Sequence, residues 1–110
     1  LDDDRTEVAC LAFRGDDMRL VPHSSVFMRG FRVRNTACYL VKTSIVDQLR
    51  KVWLEGAAAL AAGGARRLYI VDMVWHPVQE RHVFVVPIVR AVRQRAGYSD
   101  IRNRYVTTIY

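Results

Sequence analysis

Residues 68–86 read LYIVDMVWHPVQERHVFVV, two apolar runs divided by a polar stretch around a proline. The first run, 68–75, carries a single charge among β-branched and aromatic residues, which predicts a nearly continuous, centrally placed strand. The second run, 82–86, predicts another. His76, Pro77, Val78, Gln79, Glu80 and Arg81 lie between them and predict the turn of a β-hairpin. A hairpin at this place makes the domain a mainly antiparallel sheet.

Working outward from it, Pro87 suits the first turn of a helix over 87–96. Ile88, Val89, Ala91, Val92 and Ala96 form its apolar side, Arg90, Arg93, Gln94 and Arg95 its polar side, and Gly97 its end. The run 102–109 (RNRYVTTI) predicts a last strand. Upstream, Ser44 followed by Asp47 reads as an N-terminal capping signal. Ile45, Leu49, Val52, Trp53, Gly56 and Leu60 then recur at helical spacing as far as Gly63 and Gly64. Before that helix, 26–41 is a β-rich run broken near Gly30 or Asn35. Phe27, Arg29, Phe31 and Val33 share one parity there, with Met28, Arg32 and Arg34 on the other, so one face reads as buried and the other as basic. Residues 6–13 predict a first strand, 14–17 a turn, and 18–21 a short strand pairing back on it, closed by Pro22. The expected order is β-β-β-α-β-β-α-β: an α+β domain with a mainly antiparallel sheet of five to six strands and two helices on one face.

Composition agrees with one such domain over 1–110, with 1–5 as an acidic, flexible end. Of the 110 residues 51% are hydrophobic and 25% charged, too apolar for a disordered chain. No apolar run approaches the roughly 18 to 20 residues of a membrane-spanning helix. The beginning at Leu1 and the end at Tyr110, straight after a strand-like run, predict a piece of a larger protein with no secretion signal. Two cysteines, Cys10 and Cys38, read as small buried thiols of an intracellular (cytoplasmic or nuclear) or viral protein rather than as a disulfide scaffold.

Charge is placed unevenly. Residues 1–17 hold six acids against Arg5 and Arg14, whereas 18–110 hold fifteen bases against five acids. The expected anionic partner, DNA or RNA, would be met by Arg32, Arg34, Arg90, Arg93, Arg95, Arg102 and Arg104, whose guanidinium forks suit phosphate. Phe31, Tyr98 and Tyr105 are interleaved with them as stacking platforms. The plainer reading is a solvated face enriched in arginine, fifteen against two lysines, by coding bias alone. No aromatic RNP signature, GXXG loop, zinc-finger spacing or heptad-bearing basic region is present.

Asp72 inside an apolar run, with His76, Glu80 and His82 on the same hairpin, outlines a weak metal- or histidine-dependent nuclease site. The plainer reading pairs Asp72 with an arginine and leaves the histidines in a turn. His23 beside Ser24 and Ser25 does not make a nucleophile–base pair, because adjacent residues do not present their side chains to one another. No nucleotide-phosphate loop and no cofactor site are indicated. Finally, Met18, Phe27, Met28, Tyr39, Trp75, Tyr105 and Tyr110 exceed the needs of a small two-layer core. Phe27, Phe31, Trp75 and Tyr105 are the expected contacts of an apolar sheet face. A non-catalytic module that forms a homodimer or docks a protein partner through that face, or by sheet extension at an edge, is the leading expectation.

Overall fold

Val8–Cys10 is a run of three apolar residues, all fully buried, and it forms β1 near the middle of the sheet. Phe84–Pro87, β5, runs beside it, with Phe84, Val85 and Val86 equally buried. Strands covered on both faces read as continuous apolar runs rather than alternating ones, and these two lie parallel. The computed structural model describes residues 5–15, 17–90, 92, 97–99 and 104–106. Around β1 and β5 stand β2 (Arg19–Pro22), β3 (Phe27–Phe31) and β4 (Tyr39–Val41), in the order β2-β3-β5-β1-β4. All contacts other than β1–β5 are antiparallel, so the sheet is mixed within an α+β fold.

The ladder departs from expectation at its first strands. β2 pairs with β3, not with β1, and lies at the sheet edge. The long run 26–41 does break, but over Arg32 to Asn35, both of which have positive φ (59° and 83°). Asn35 tolerates this conformation, and its Oδ1 accepts the Ala37 N–H at 2.9 Å, an Asx turn that reverses the chain into β4.

After β4, a 3-10 turn (Thr43–Ile45) leads into α1 (Val46–Ala61). No side-chain cap closes this start, so Ser44 does not act as the expected cap. Asp47 does sit in the first turn, where its charge suits the helix dipole. Gly63, at φ +89°, supplies the left-handed turn that ends the helical path.

The expected strand 68–75 is absent. Arg66–Tyr69 is a single helical turn, α2, and His76–Arg81 is a short helix, α3. Between them the backbone bonds locally: Tyr69 N–H to Ala65, Ile70 to Arg66, Val74 to Ile70. The apolar side chains pack on α1 instead of joining the sheet. Gly56 opens the space, for a Cβ there would lie 2.9 Å from Val74 Cγ2 and 3.1 Å from the Tyr69 carbonyl oxygen. Trp53 Nε1 donates to the Val71 carbonyl at 3.0 Å from the same side. Gly56→Ala is therefore expected to lower stability by about 1 kcal/mol, where an uncrowded helix would gain about that much. Urea unfolding of the variant reads the sign.

The expected helix 87–96 also fails at its start. Pro87 ends β5 opposite Phe27, and the Ile88 N–H donates to the Val26 carbonyl at 2.9 Å, which continues the ladder past the proline. Residues 91 and 93–96 lie outside the described residues. Among the described residues the last strand, β7 (Arg104–Val106), pairs only with β6 (Gly97–Ser99), as a separate two-stranded ribbon. Trp75 occupies the centre of the core, edge-on to Tyr39 (5.6 Å) and Phe84 (5.4 Å) and 5.9 Å from Trp53. Among the described residues no helix is long and apolar enough to cross a membrane.

Candidate functional site

The four polar residues of 72–82 separate rather than converge. Asp72 lies 3.4 Å from Arg34 Nε, as an ion pair. Glu80 on α3 faces Arg19 at 3.9 Å. His82, just past α3, meets Glu7 Oε2 through Nδ1 at 2.6 Å, and Glu7 Oε1 accepts the Val83 N–H at 3.1 Å, which ties β1 to the start of β5. Among the described residues no three metal-binding side chains come together. The hairpin that would have gathered them is a turn followed by a helix, and it sends each side chain in a different direction.

Of these four His76 is the buried one, and among the described residues its Nε2 has no hydrogen-bond partner. Burial and then the nearby Arg32 charge hold its pKa below the ordinary 6.5, with Arg34 adding to the effect and the Asp17 charge opposing it. Its neutral form is thus favoured in the folded chain, while the unfolded chain takes up a proton as pH falls through about 6.5. Stability from this group is present above that pH and lost below it. Urea unfolding at pH 7.5 and pH 5 is expected to show a steeper acid loss in the native chain than in His76→Asn.

Of the seven arginines expected on one basic face, three hold contacts within the chain among the described residues. Arg32 is hydrogen-bonded to Asp17, whose carboxyl it holds below the ordinary range, and Arg34 is paired with Asp72. Arg90 donates to the Phe13 carbonyl at 2.7 Å and lies 4.2 Å over its ring. Arg104 is exposed on β7, and Arg93, Arg95 and Arg102 lie outside the described residues. Arg19 and Arg29 stack over Phe31, 3.9 and 4.7 Å from its centroid, so that ring lies buried under two cations.

The expected apolar sheet face is not assembled from its named residues either. Trp75 is wholly inside the core, where its indole serves packing and hydrogen bonding. Phe27 is half-buried in β3, and Tyr105 is exposed on the separate ribbon. Cys10 and Cys38 are both free thiols, the first buried with its pKa pushed up to about 12.

What the fold does assemble is a cleft of about 350 Å³ between β4 and α1. Tyr39 and Val41 line it from the strand, and Val46, Leu49, Trp53 and Leu54 from one side of the helix. Leu54 is 60% exposed and Val46 41%, so the rim is apolar as well as the floor. Among the described residues Arg50 is the one charged residue in the lining.

β4 is an edge strand, and its hydrogen-bond phase is set by its pairing with β1. Lys42 donates to the Glu7 carbonyl, and the Leu11 N–H donates to the Cys38 carbonyl. In an antiparallel ladder the bonding residues alternate, so Leu40, between Cys38 and Lys42, turns its backbone toward β1. Tyr39 and Val41 then turn theirs outward. Among the described residues no strand pairs with that edge. The opposite edge, β2, begins with Arg19 and ends with Pro22, features that blunt strand addition; Tyr39, Leu40 and Val41 offer no such guard.

Edge extension is among the expectations from the sequence in general terms, and this cleft is not. Its signal is the helical stripe Val46, Leu49, Arg50, Trp53 and Leu54 beside the short strand YLV. No family model matches the chain, and no curated protein or solved structure does.

Proposed function

We propose that this chain is a non-catalytic interaction module that takes up an extended segment of a protein partner along the β4–α1 cleft. One observation carries the reading: Tyr39 and Val41 present outward backbone groups to an incoming strand and line the apolar cleft with their side chains. Strand addition of this kind draws affinity from main-chain hydrogen bonds and specificity from alternate side chains that enter a pocket. A buried aliphatic anchor contributes about 2 kcal/mol and each main-chain bond about 1 kcal/mol. Against the cost of association, these sums suit a transient complex of micromolar to millimolar affinity.

Trp53 lines the cleft and serves as the reporter. A set of eight-residue peptides with leucine or isoleucine at alternate positions and serine between them is titrated against the chain by tryptophan fluorescence. Binding by a member of the set is expected, and it is lost in Leu54→Glu, which places a charge on the apolar rim. It is lost again in Val41→Pro, which removes an outward N–H while sparing the bonds to β1. Far-UV circular dichroism reports that each variant is folded. If no peptide binds, or binding survives Leu54→Glu, the reading fails. Binding of an oligonucleotide that weakens steeply with salt, with no peptide bound, would transfer the function to the arginines.

A further inference from the structure

Resting on the cleft as the docking site, we infer that its occupant is an acidic segment, with an aspartate or glutamate side chain next to the apolar residue that fills the cleft. Arg50 sits among five apolar positions of the lining that could otherwise exclude charge altogether. Among the described residues no carboxylate pairs with it. The other charges of α1 lie on the neighbouring stripe, Asp47, Lys51 and Glu55, where Lys51 and Glu55 pair with each other at 4.0 Å. Arg50 is thus an exposed positive group at the edge of an apolar surface, and a guanidinium there holds a carboxylate through paired, charge-assisted bonds.

The alternation of a strand places this carboxylate. Side chains of an added strand point by turns into the cleft and away from it, so the acid lies at the end of the inward row, beyond the apolar anchor. A second copy of the chain fits poorly. Its own β4 edge would bring a second Arg50 toward the first, on a chain of net charge +6. A segment of opposite charge gains where a copy loses.

The test compares three eight-residue peptides that share the same alternating leucines with serine between them and carry glutamate, glutamine or lysine at the last inward position, each with a free and an amidated C-terminus. Trp53 fluorescence gives the affinities at 50 and 500 mM salt. The glutamate peptide is expected to bind about fivefold more tightly than the glutamine peptide at low salt, with the C-terminus making no difference. The preference collapses at high salt. Arg50→Gln abolishes the preference of the glutamate over the glutamine peptide, and Arg50→Glu turns it toward lysine.

Equal binding of all three peptides overturns the acidic occupant and leaves the cleft reading standing. Binding that needs the free C-terminus overturns the side-chain acid in favour of a terminal one. Binding of none overturns both readings. A concentration-dependent dimer in sedimentation that Leu54→Glu dissolves would replace the acidic segment with a second copy.

Discussion

Trp75→Ala is expected to cost about 4 kcal/mol of folding stability, within the 3 to 5 typical of a large buried aromatic. Against a total of about 5 to 15 kcal/mol for a domain of this size, such a loss leaves a marginal fold. The side chain has no solvent exposure and packs against Tyr39, Trp53 and Phe84. Its Nε1 also donates at 3.1 Å to the carbonyls of both Val33 and Asp72, which joins the loop after β3 to the turn before α3. Trp75→Phe keeps a ring in the core but removes the donor, and about half the loss is expected. Urea unfolding followed by circular dichroism separates the two variants. If Trp75→Ala changed stability by less than 1 kcal/mol, the central packing described above would be wrong.

Gln79→Leu is the second large effect, expected at about 3 kcal/mol although the volume hardly changes. The Gln79 side chain is wholly buried and clamps one residue: its Oε1 accepts the Val33 N–H at 2.8 Å and its Nε2 donates to the Val33 carbonyl at 2.9 Å. Leucine would orphan that N–H in a dry interior, at about 1 to 3 kcal/mol, and take one donor from the carbonyl. It would also release the segment in which Arg32 and Asn35 hold positive φ. Hydrogen exchange at the Val33 amide should accelerate in step with the stability loss. Because Trp75 and Gln79 share the Val33 carbonyl, the double variant should lose less than the two single losses added together. Simple additivity would mean that the two donors act independently.

The clamp also has a signature in the sequence. Trp75, Val78, Gln79 and His82 follow one another at three- and four-residue spacing, and Pro77 suits a first helical turn. That is a helical signature, outweighed by the apolar run before it. The neighbouring glycines point the same way. Gly56 and Gly64 leave room on α1 and just beyond it: a Cβ on Gly64 would stand 3.0 Å from the Tyr69 ring. A close approach of backbone is a physical reason for glycine inside or beside a helix, and here it marks where 69–74 packs.

Of the candidate site, the possibility that Asp72 pairs with an arginine was legible, and so was the value of a strand edge. The particular edge was not. It depends on which strand ends the sheet, and on Arg19 and Pro22 standing at the other end.

Local chemistry determined what is periodic or punctuated. The stripe of α1, the turn at Gly63, the break of the long β run at Asn35 and the strand at 84–86 are each encoded by residues within a few positions of one another. Tertiary structure alone decided the parallel pairing of β1 with β5, the packing of 68–75 on α1 rather than in the sheet, and the joining of β4 to α1 as one cleft. The reason is that an apolar run of eight residues is satisfied equally by a sheet or by a helix surface. Its choice is made by partners tens of residues away, through burial that no local pattern records.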